Sequence, residues 1–320
     1  MVTIADGERL PVRVELADVE GLEAAVSAFR SLDYRLGGES CRRALRAIGS
    51  WTVLLRNGTV PARLVRRLGR DLGDLYNLLA WTEFDTGRVA QARRHFAVAG
   101  ELAAAADDGD LVANICYRTG RLNLHHLDTA RAFAEFGRGQ AVARRAGSRH
   151  AQAILHANQA WAHAMRGQAA PALTELGRAE DDFAAVTGPS PPWAAFFDAN
   201  DLAAMCGTVH VELARSVDAS HARAAISFLA GAVAGYGPEM ARSRALTQIL
   251  LALGHAMQND LDEADRVVAE AIRTARSLRS ARPKDRLASL ETVVRDRLPE
   301  PDARQLLERV RSFRREPGPP

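Results

Sequence analysis

Two aspartates three residues apart, Asp198 and Asp201 in the stretch PPWAAFFDAND, are the first candidates for chemistry in this 320-residue chain. On a helix the spacing puts both carboxylates on one face, where a pair with separated proton affinities does acid–base work. His255 is the one further member the chain offers such a constellation. The competing reading has Asp198 and Asp201 capping a helix or pairing with Arg242 or Arg244, while Trp193, Phe196 and Phe197 serve as core behind the two helix-starting prolines.

The histidines do not suggest a metal centre. His125 and His126 are adjacent and point about 100 degrees apart on a regular helix, and His156 and His163 are seven apart, too far to share an ion unaided. Cys41, Cys116 and Cys206 are widely spaced, with no CxxC and no histidine at ligand spacing, which fits a reduced cytoplasmic compartment. No P-loop, dinucleotide fingerprint, HExxH or GxSxG is found. These observations predict a non-enzymatic protein without cofactor or metal.

Charge points away from nucleic acid. The chain carries 42 Lys+Arg against 39 Asp+Glu, so a pI near 9.0 overstates a net charge of only +3. In RLVRRLGR (63–70), Leu64, Val65 and Leu68 read as an apolar helix face and Arg63, Arg66, Arg67 and Arg70 as a solvated one. The first residues carry Asp6, Glu8, Arg9, Arg13 and Glu15 in place of a signal peptide's apolar stretch, and no run approaches a membrane span.

What must position the candidate residues is helical. Apolar residues recur at helical spacing nearly everywhere after residue 17, punctuated by turns such as DTGR (85–88), DDGD (107–110), RAGS (145–148), MRGQ (165–168) and QNDLD (258–262). Aligned on one alanine, the helices repeat. Ala92, Phe96 and Ala99 are followed by Ala132, Phe136 and Gly139, by Ala172, Leu176 and Ala179, by Ala225, Leu229 and Ala232, and by Ala264, Val268 and Ala271. The steps are 40, 40, 53 and 39 residues, the long one containing GPSPPW. Small residues stand twelve positions earlier at Ala80, Gly120, Ala160 and Ala252, where two helices of a hairpin cross closely.

This pattern resembles the tetratricopeptide repeat, with about five copies between residues 71 and 280; the period exceeds the usual 34 residues, and the terminal proline is missing from the first copy. Three segments, DVEGLEAAVSAFRSLDYRLGGE (18–39), PPWAAFFDANDLAAMCG (191–207) and RSRALTQILLALGHAMQNDLDEADRVVAEAI (242–272), further resemble the C-terminal sensor regions of actinobacterial regulators in which a helix-turn-helix domain precedes the array. Only 17 residues precede the first of these, so direct nucleic-acid binding is not carried over. The resemblance implies an all-α right-handed α-α superhelix, a TPR-like solenoid of about five helical hairpins. It is expected to have an N-terminal tail (1–17), a helical cap (18–70), the array (71–280), C-terminal capping helices (281–315) and a disordered tail (316–320), with disorder beginning after Phe313.

In such an array the first helix of each pair lines the concave face. Counting from the small residue, the groove presents Asn77, Trp81, Phe84 and Asp85, then Asn114, Tyr117, Arg121 and His125, then Asn158, Trp161 and Met165. Amides can pair with an extended backbone, aromatic rings form apolar pockets, and arginine holds a carboxylate with two parallel bonds; Trp and Asn there also serve packing between repeats. With Trp193, Asp198, Asp201 and Arg242 these form the candidate binding residues. The expected function is a sensor or adaptor taking a peptide or partner-protein segment, in control of transcription or secondary metabolism. A small-molecule receptor lined by Trp161, Trp193 and Phe196 and an accessory protein or enzyme of a biosynthetic pathway stay open as alternatives, and repeat surfaces of this kind commonly dimerise.

Overall fold

The computed structural model describes residues 13–297 and 300–316. Within them the chain is helical, with one isolated bridge between Arg13 and Thr59. The N-terminal cap comprises α1 (Leu16–Leu36), α2 (Gly38–Ala47) and α3 (Gly49–Asn57). Five antiparallel pairs follow: α4 (Ala62–Asp85) with α5 (Val89–Ala105), α6 (Gly109–His125) with α7 (Thr129–Ala146), α8 (Arg149–Met165) with α9 (Ala169–Ala184), α10 (Ala199–Ser216) with α11 (His221–Gly235), and α12 (Ala241–Met257) with α13 (Leu261–Ser277). The chain ends in α14 (Arg282–Arg297) and α15 (Glu300–Arg315). The expected α-α superhelix of five hairpins with helical caps is therefore borne out. None of the described helices is long and apolar enough to cross a membrane.

The alanine register builds the core. Ala92, Ala132, Ala172, Ala225 and Ala264 are all fully buried, and the large residue four later in each pair is buried with them. Close approach is enforced at Gly120, where a Cβ would lie 2.2 Å from the Phe136 ring, and in the fourth pair at Gly207, where it would lie 2.4 Å from Leu229. The long step is taken up between α9 and α10, so the fourth copy keeps its register despite the insert.

The turns share one device. A left-handed residue precedes the next helix at Gly87, Gly167 and Asn259, but also at Leu127, which has φ 60 and is 76% exposed. Asp108, Asp128, Ser148 and Asp260 then cap the following helices by accepting from a backbone N–H three residues on.

Several local expectations change. Of the two readings of the aspartates, capping holds for Asp198: it is the extended N-cap of α10, accepting from the N–H groups of Asn200 (2.8 Å) and Asp201 (3.0 Å), so the two do not share a helix face. Residues 192–196 form turns instead of a helix, because α10 begins only after that cap. Val65 is 52% exposed while Leu64 and Leu68 are buried; the apolar face of α4 is narrower than its sequence suggests. The chain stays helical through Arg315, with Phe313 buried and Arg276 paired to Glu316 at 2.6 Å. Residues 1–12 of the expected N-terminal tail and 317–320 of the expected C-terminal tail lie outside the described residues.

The superhelix closes on itself. Asp33 of α1 accepts two bonds from Arg242 of α12, each 2.8 Å, although the residues stand 209 positions apart. The Arg279 N–H donates to the Leu36 carbonyl (2.8 Å), and the Glu39 N–H to the Arg279 carbonyl (3.1 Å). Asp85, fully buried at the end of α4, joins both edges. Its carboxylate accepts from the Gly38 N–H (2.8 Å) and the Ser280 hydroxyl (2.9 Å), and lies 3.6 Å from Arg242 and 3.9 Å from Arg282. The concave face is thus turned into a lumen.

Candidate functional site

Five helices that begin the hairpins, α4, α6, α8, α10 and α12, supply most of the lumen wall, and α1, α14 and the connections carrying Phe196 and Tyr236 add to it. One lobe, about 100 Å³, is lined by Trp81, Tyr117, Phe196, Asp201, Tyr236 and Arg242 among others. A second lobe, about 360 Å³, is lined by Phe84, His125, Trp161, Met165, Ile249 and Leu253 among others. Arg121, Thr208, Leu250, Arg282 and Arg286 belong to both, so the arginines stand at the waist.

Aromatic side chains form a shelf. Trp81 meets Phe84 edge-on with ring centroids 5.3 Å apart and lies 6.5 Å from Tyr117, which stacks on Phe196 at 5.8 Å. Guanidinium groups lie against these rings: Arg118 and Arg282 are 5.2 and 5.3 Å from the Trp81 centroid, Arg282 is 5.5 Å from Phe84, and Arg121 is 4.6 Å from Trp161. Such contacts offset part of the cost of holding cations away from water. Burial nonetheless pushes Arg282 down to about 10, with Arg121 and Arg242 adding repulsion against the attraction of Asp85. Arg286 falls to about 9, through burial first and then through Arg282 and Arg121.

The expected groove residues separate into two groups. Trp81, Tyr117, Arg121, Asn158, Asp201 and Arg242 line the first lobe, and Phe84, Arg121, His125, Trp161 and Met165 line the second. Asn77 is instead wholly buried, donating to the Asn114 Oδ1 at 3.0 Å between α4 and α6. Asn114 donates to the Trp193 carbonyl at 3.4 Å, and Arg121 donates to the Asn158 Oδ1 at 3.0 Å between α6 and α8. These amides join repeats to each other. Trp193 lies over the starts of α6 and α8, in a small recess with Asn114, Tyr117, His150 and Ile154. The segment carrying Trp193 and Phe196 therefore roofs the second and third repeats.

Arg242 pairs with Asp33 and Asp85, not with Asp198 or Asp201, because α1 packs directly against α12. Asp201 faces the lumen, where burial and then the nearby Asp198 charge push its carboxyl up to about 8. His255 contacts Asp260 at 3.0 Å and lines neither lobe, so the structure does not gather it with Asp198 and Asp201 into one constellation. His156 sits between Glu175 (2.5 Å) and Asp182 (3.6 Å), while His163 contacts Gln168 at 2.8 Å. Among the described residues no cluster of three His, Cys, Asp or Glu side chains could hold a metal. The three cysteines are buried, and burial pushes the Cys206 thiol up to about 12. A thiol held that high is not a nucleophile near neutrality.

Sequence reasoning missed Arg118, Arg282, Arg286, Tyr34 and Tyr236. Arg282 and Arg286 were assigned to a cap; their spacing of four, which places both on one face of α14, was the available signal.

The sequence matches no protein family profile and no curated protein. Among solved structures the chain is similar to a Rap protein crystallised in complex with competence and sporulation factor. The similarity has a TM-score of 0.52 at 12% identity and covers 93% of this chain and 96% of that one. This likeness shows the fold, a TPR-like helical-repeat superhelix with its caps included in the match.

Proposed function

We propose that the protein is a binding adaptor that takes a peptide or an extended partner-protein segment into its lumen. The observation that carries this reading is the wall itself: the first helices of all five hairpins turn aromatic and arginine side chains onto one shared space. Aromatic shelves accept apolar side chains, and arginine forks orient a carboxylate or a backbone carbonyl. The similar Rap protein was crystallised with a bound factor, which supports ligand capture by a superhelix of this kind. Because Asp33, Asp85, Arg242 and Arg282 connect the edges of the ring at the lumen's own wall, an occupant that alters these contacts changes the ring's curvature. The adaptor then reports occupancy to a partner, in a regulatory setting such as transcription or secondary metabolism.

The test is affinity selection from a synthetic peptide library on the immobilised protein, followed by titration of the selected peptides. Trp81→Ala and Arg121→Ala are expected to lose affinity at least tenfold while remaining folded. Unchanged affinity in both variants would remove the lumen from the reading. A small-molecule receptor is favoured by one observation, the second lobe of about 360 Å³, within the usual range for drug-sized ligands. It predicts a thermal shift with a single compact metabolite and none with peptides.

A further inference from the structure

The lumen contains more cation than its own carboxylates answer. Asp33 is taken up by the two-bond pair with Arg242, and Asp85 by Gly38, Ser280 and the nearer approach of Arg242. Glu212, at the wall of the second lobe, pairs with Arg215 at 3.0 Å, and Asp285 lies 3.3 Å from His125. At the waist, Arg121 donates to neutral atoms, the Asn158 Oδ1 and the Met205 sulfur. Arg282 has its nearest carboxylate at 3.9 Å. Among the described residues, no carboxylate lies within 4.0 Å of Arg286, whose recorded contact is the Trp161 ring at 5.9 Å. Three guanidinium groups therefore converge on one place, bedded on Trp81, Phe84 and Trp161, and among the described residues Asp85, 3.9 Å from Arg282, is the one carboxylate within 4.0 Å of any of them.

We propose that the occupant of the lumen is a short, mainly apolar peptide bearing a carboxylate, and that Arg121, Arg282 and Arg286 hold that carboxylate at the waist between the lobes. The proposal rests on the peptide-adaptor reading and specifies its ligand. Guanidinium forks match a carboxylate with parallel charge-assisted bonds, and an anion between like charges removes the repulsion that burial amplifies. The lobes on either side carry aromatic and aliphatic walls, Trp81, Tyr117 and Phe196 in one and Trp161 and Ile249 in the other, so the occupant's flanks are apolar. A small inorganic anion would answer the charge but leave those walls uncovered.

The carboxylate has two sources, a side chain or the peptide's C-terminus, and the probes separate them. Two pentapeptide pools carry Leu, Ile, Val and Phe at four positions and either Glu or Gln at the centre, each made as free acid and as C-terminal amide. They are compared with glutarate and inorganic phosphate by thermal shift and native mass spectrometry, on wild type, Arg286→Gln and Arg286→Lys. Binding of the Glu pool in both terminal forms assigns a side-chain carboxylate. Binding of free acids irrespective of the central residue assigns the C-terminus. In either case Arg286→Gln is expected to weaken binding at least tenfold, with Arg286→Lys intermediate and ligand-free Arg286→Gln melting no lower than wild type. Equal binding of the neutral amidated Gln pool, or unchanged affinity in Arg286→Gln, overturns the carboxylate site while leaving the adaptor reading standing. A ligand-free Arg286→Gln that melts several degrees lower also overturns it, since Arg286 is then a structural residue. Binding of glutarate or phosphate but of no peptide, lost in Arg286→Gln, overturns the peptide occupant and the adaptor reading together while keeping an anion site. No binding by any probe overturns both.

Discussion

Replacing Arg242 with methionine removes one side of the pair that joins the first helix to the fifth hairpin. The Asp33 side chain is fully buried and that of Arg242 is 7% exposed, with both bonds at 2.8 Å. The substitution fills similar volume but leaves the Asp33 carboxylate without its cation and deprives Asp85 of the guanidinium 3.6 Å away. Breaking one side of a buried pair costs about 3–5 kcal/mol, roughly 150- to 5,000-fold in the unfolding equilibrium. Asp33→Asn should cost less, about 2 kcal/mol, because Arg242 keeps Asp85 as a partner. The double variant Asp33→Leu/Arg242→Met should return to within about 1 kcal/mol of wild type, since an apolar pair of similar size replaces a desolvated ionic one. Urea unfolding followed by circular dichroism gives the free energies, and small-angle scattering shows whether the ring opens. An Arg242→Met protein within about 1 kcal/mol of wild type and of unchanged radius of gyration would refute the assignment of this pair as the clasp.

Other residues make independent predictions. Gly120→Ala puts a methyl 2.2 Å from the fully buried Phe136 ring and should cost about 1–3 kcal/mol in urea unfolding. Leu127→Gly relieves a left-handed backbone at an exposed leucine and should stabilise by about 1 kcal/mol, seen as a raised melting temperature. Trp193→Ala empties the recess over α6 and α8 and should cost about 3 kcal/mol, read by the same urea titration. Burial holds Asp201 at about 8 against an ordinary 3.8, so between these values the native state keeps a proton that the unfolded chain has released. Its contribution is full below about pH 4 and lost as pH rises through about 8, a slope of at most about 1.4 kcal/mol per pH unit; Asp201→Asn should flatten the measured pH–stability curve there.

The repeat was readable because close helix packing leaves a regular mark. Ala92 and its four counterparts tolerate nothing larger, and Gly120 is hemmed in by Phe136, so geometry imposes a spacing that survives in residue types. Trp81, Tyr117, Arg121 and Trp161 could be placed on the lumen for the same reason. Asn77 and Asn114 were placed on the correct helices, but whether an amide faces a ligand or the next repeat depends on a neighbour 37 residues away. For Asp198 the capping reading holds and the shared-face reading fails, the two being hard to separate because an N-cap and a first-turn residue look alike in sequence. Arg282 and Arg286 escaped because their role depends on α14 crossing toward α4, a consequence of closure that no local pattern encodes. Asp33 and Arg242 are the extreme case, with nothing in either flanking sequence naming the other.

That closure fixes the number of repeats. In an open solenoid each hairpin touches only its neighbours, so copies can be gained or lost while the rest of the stack stays intact. Here Asp85 at the end of the first hairpin's first helix must meet both Gly38 and Ser280, and Asp33 must meet Arg242. Adding one hairpin would enlarge the circumference and carry α12 and α14 past their partners; deleting one would leave α14 short of Trp81. The number of hairpins between the closing contacts is therefore set by geometry, and with it the circumference of the lumen.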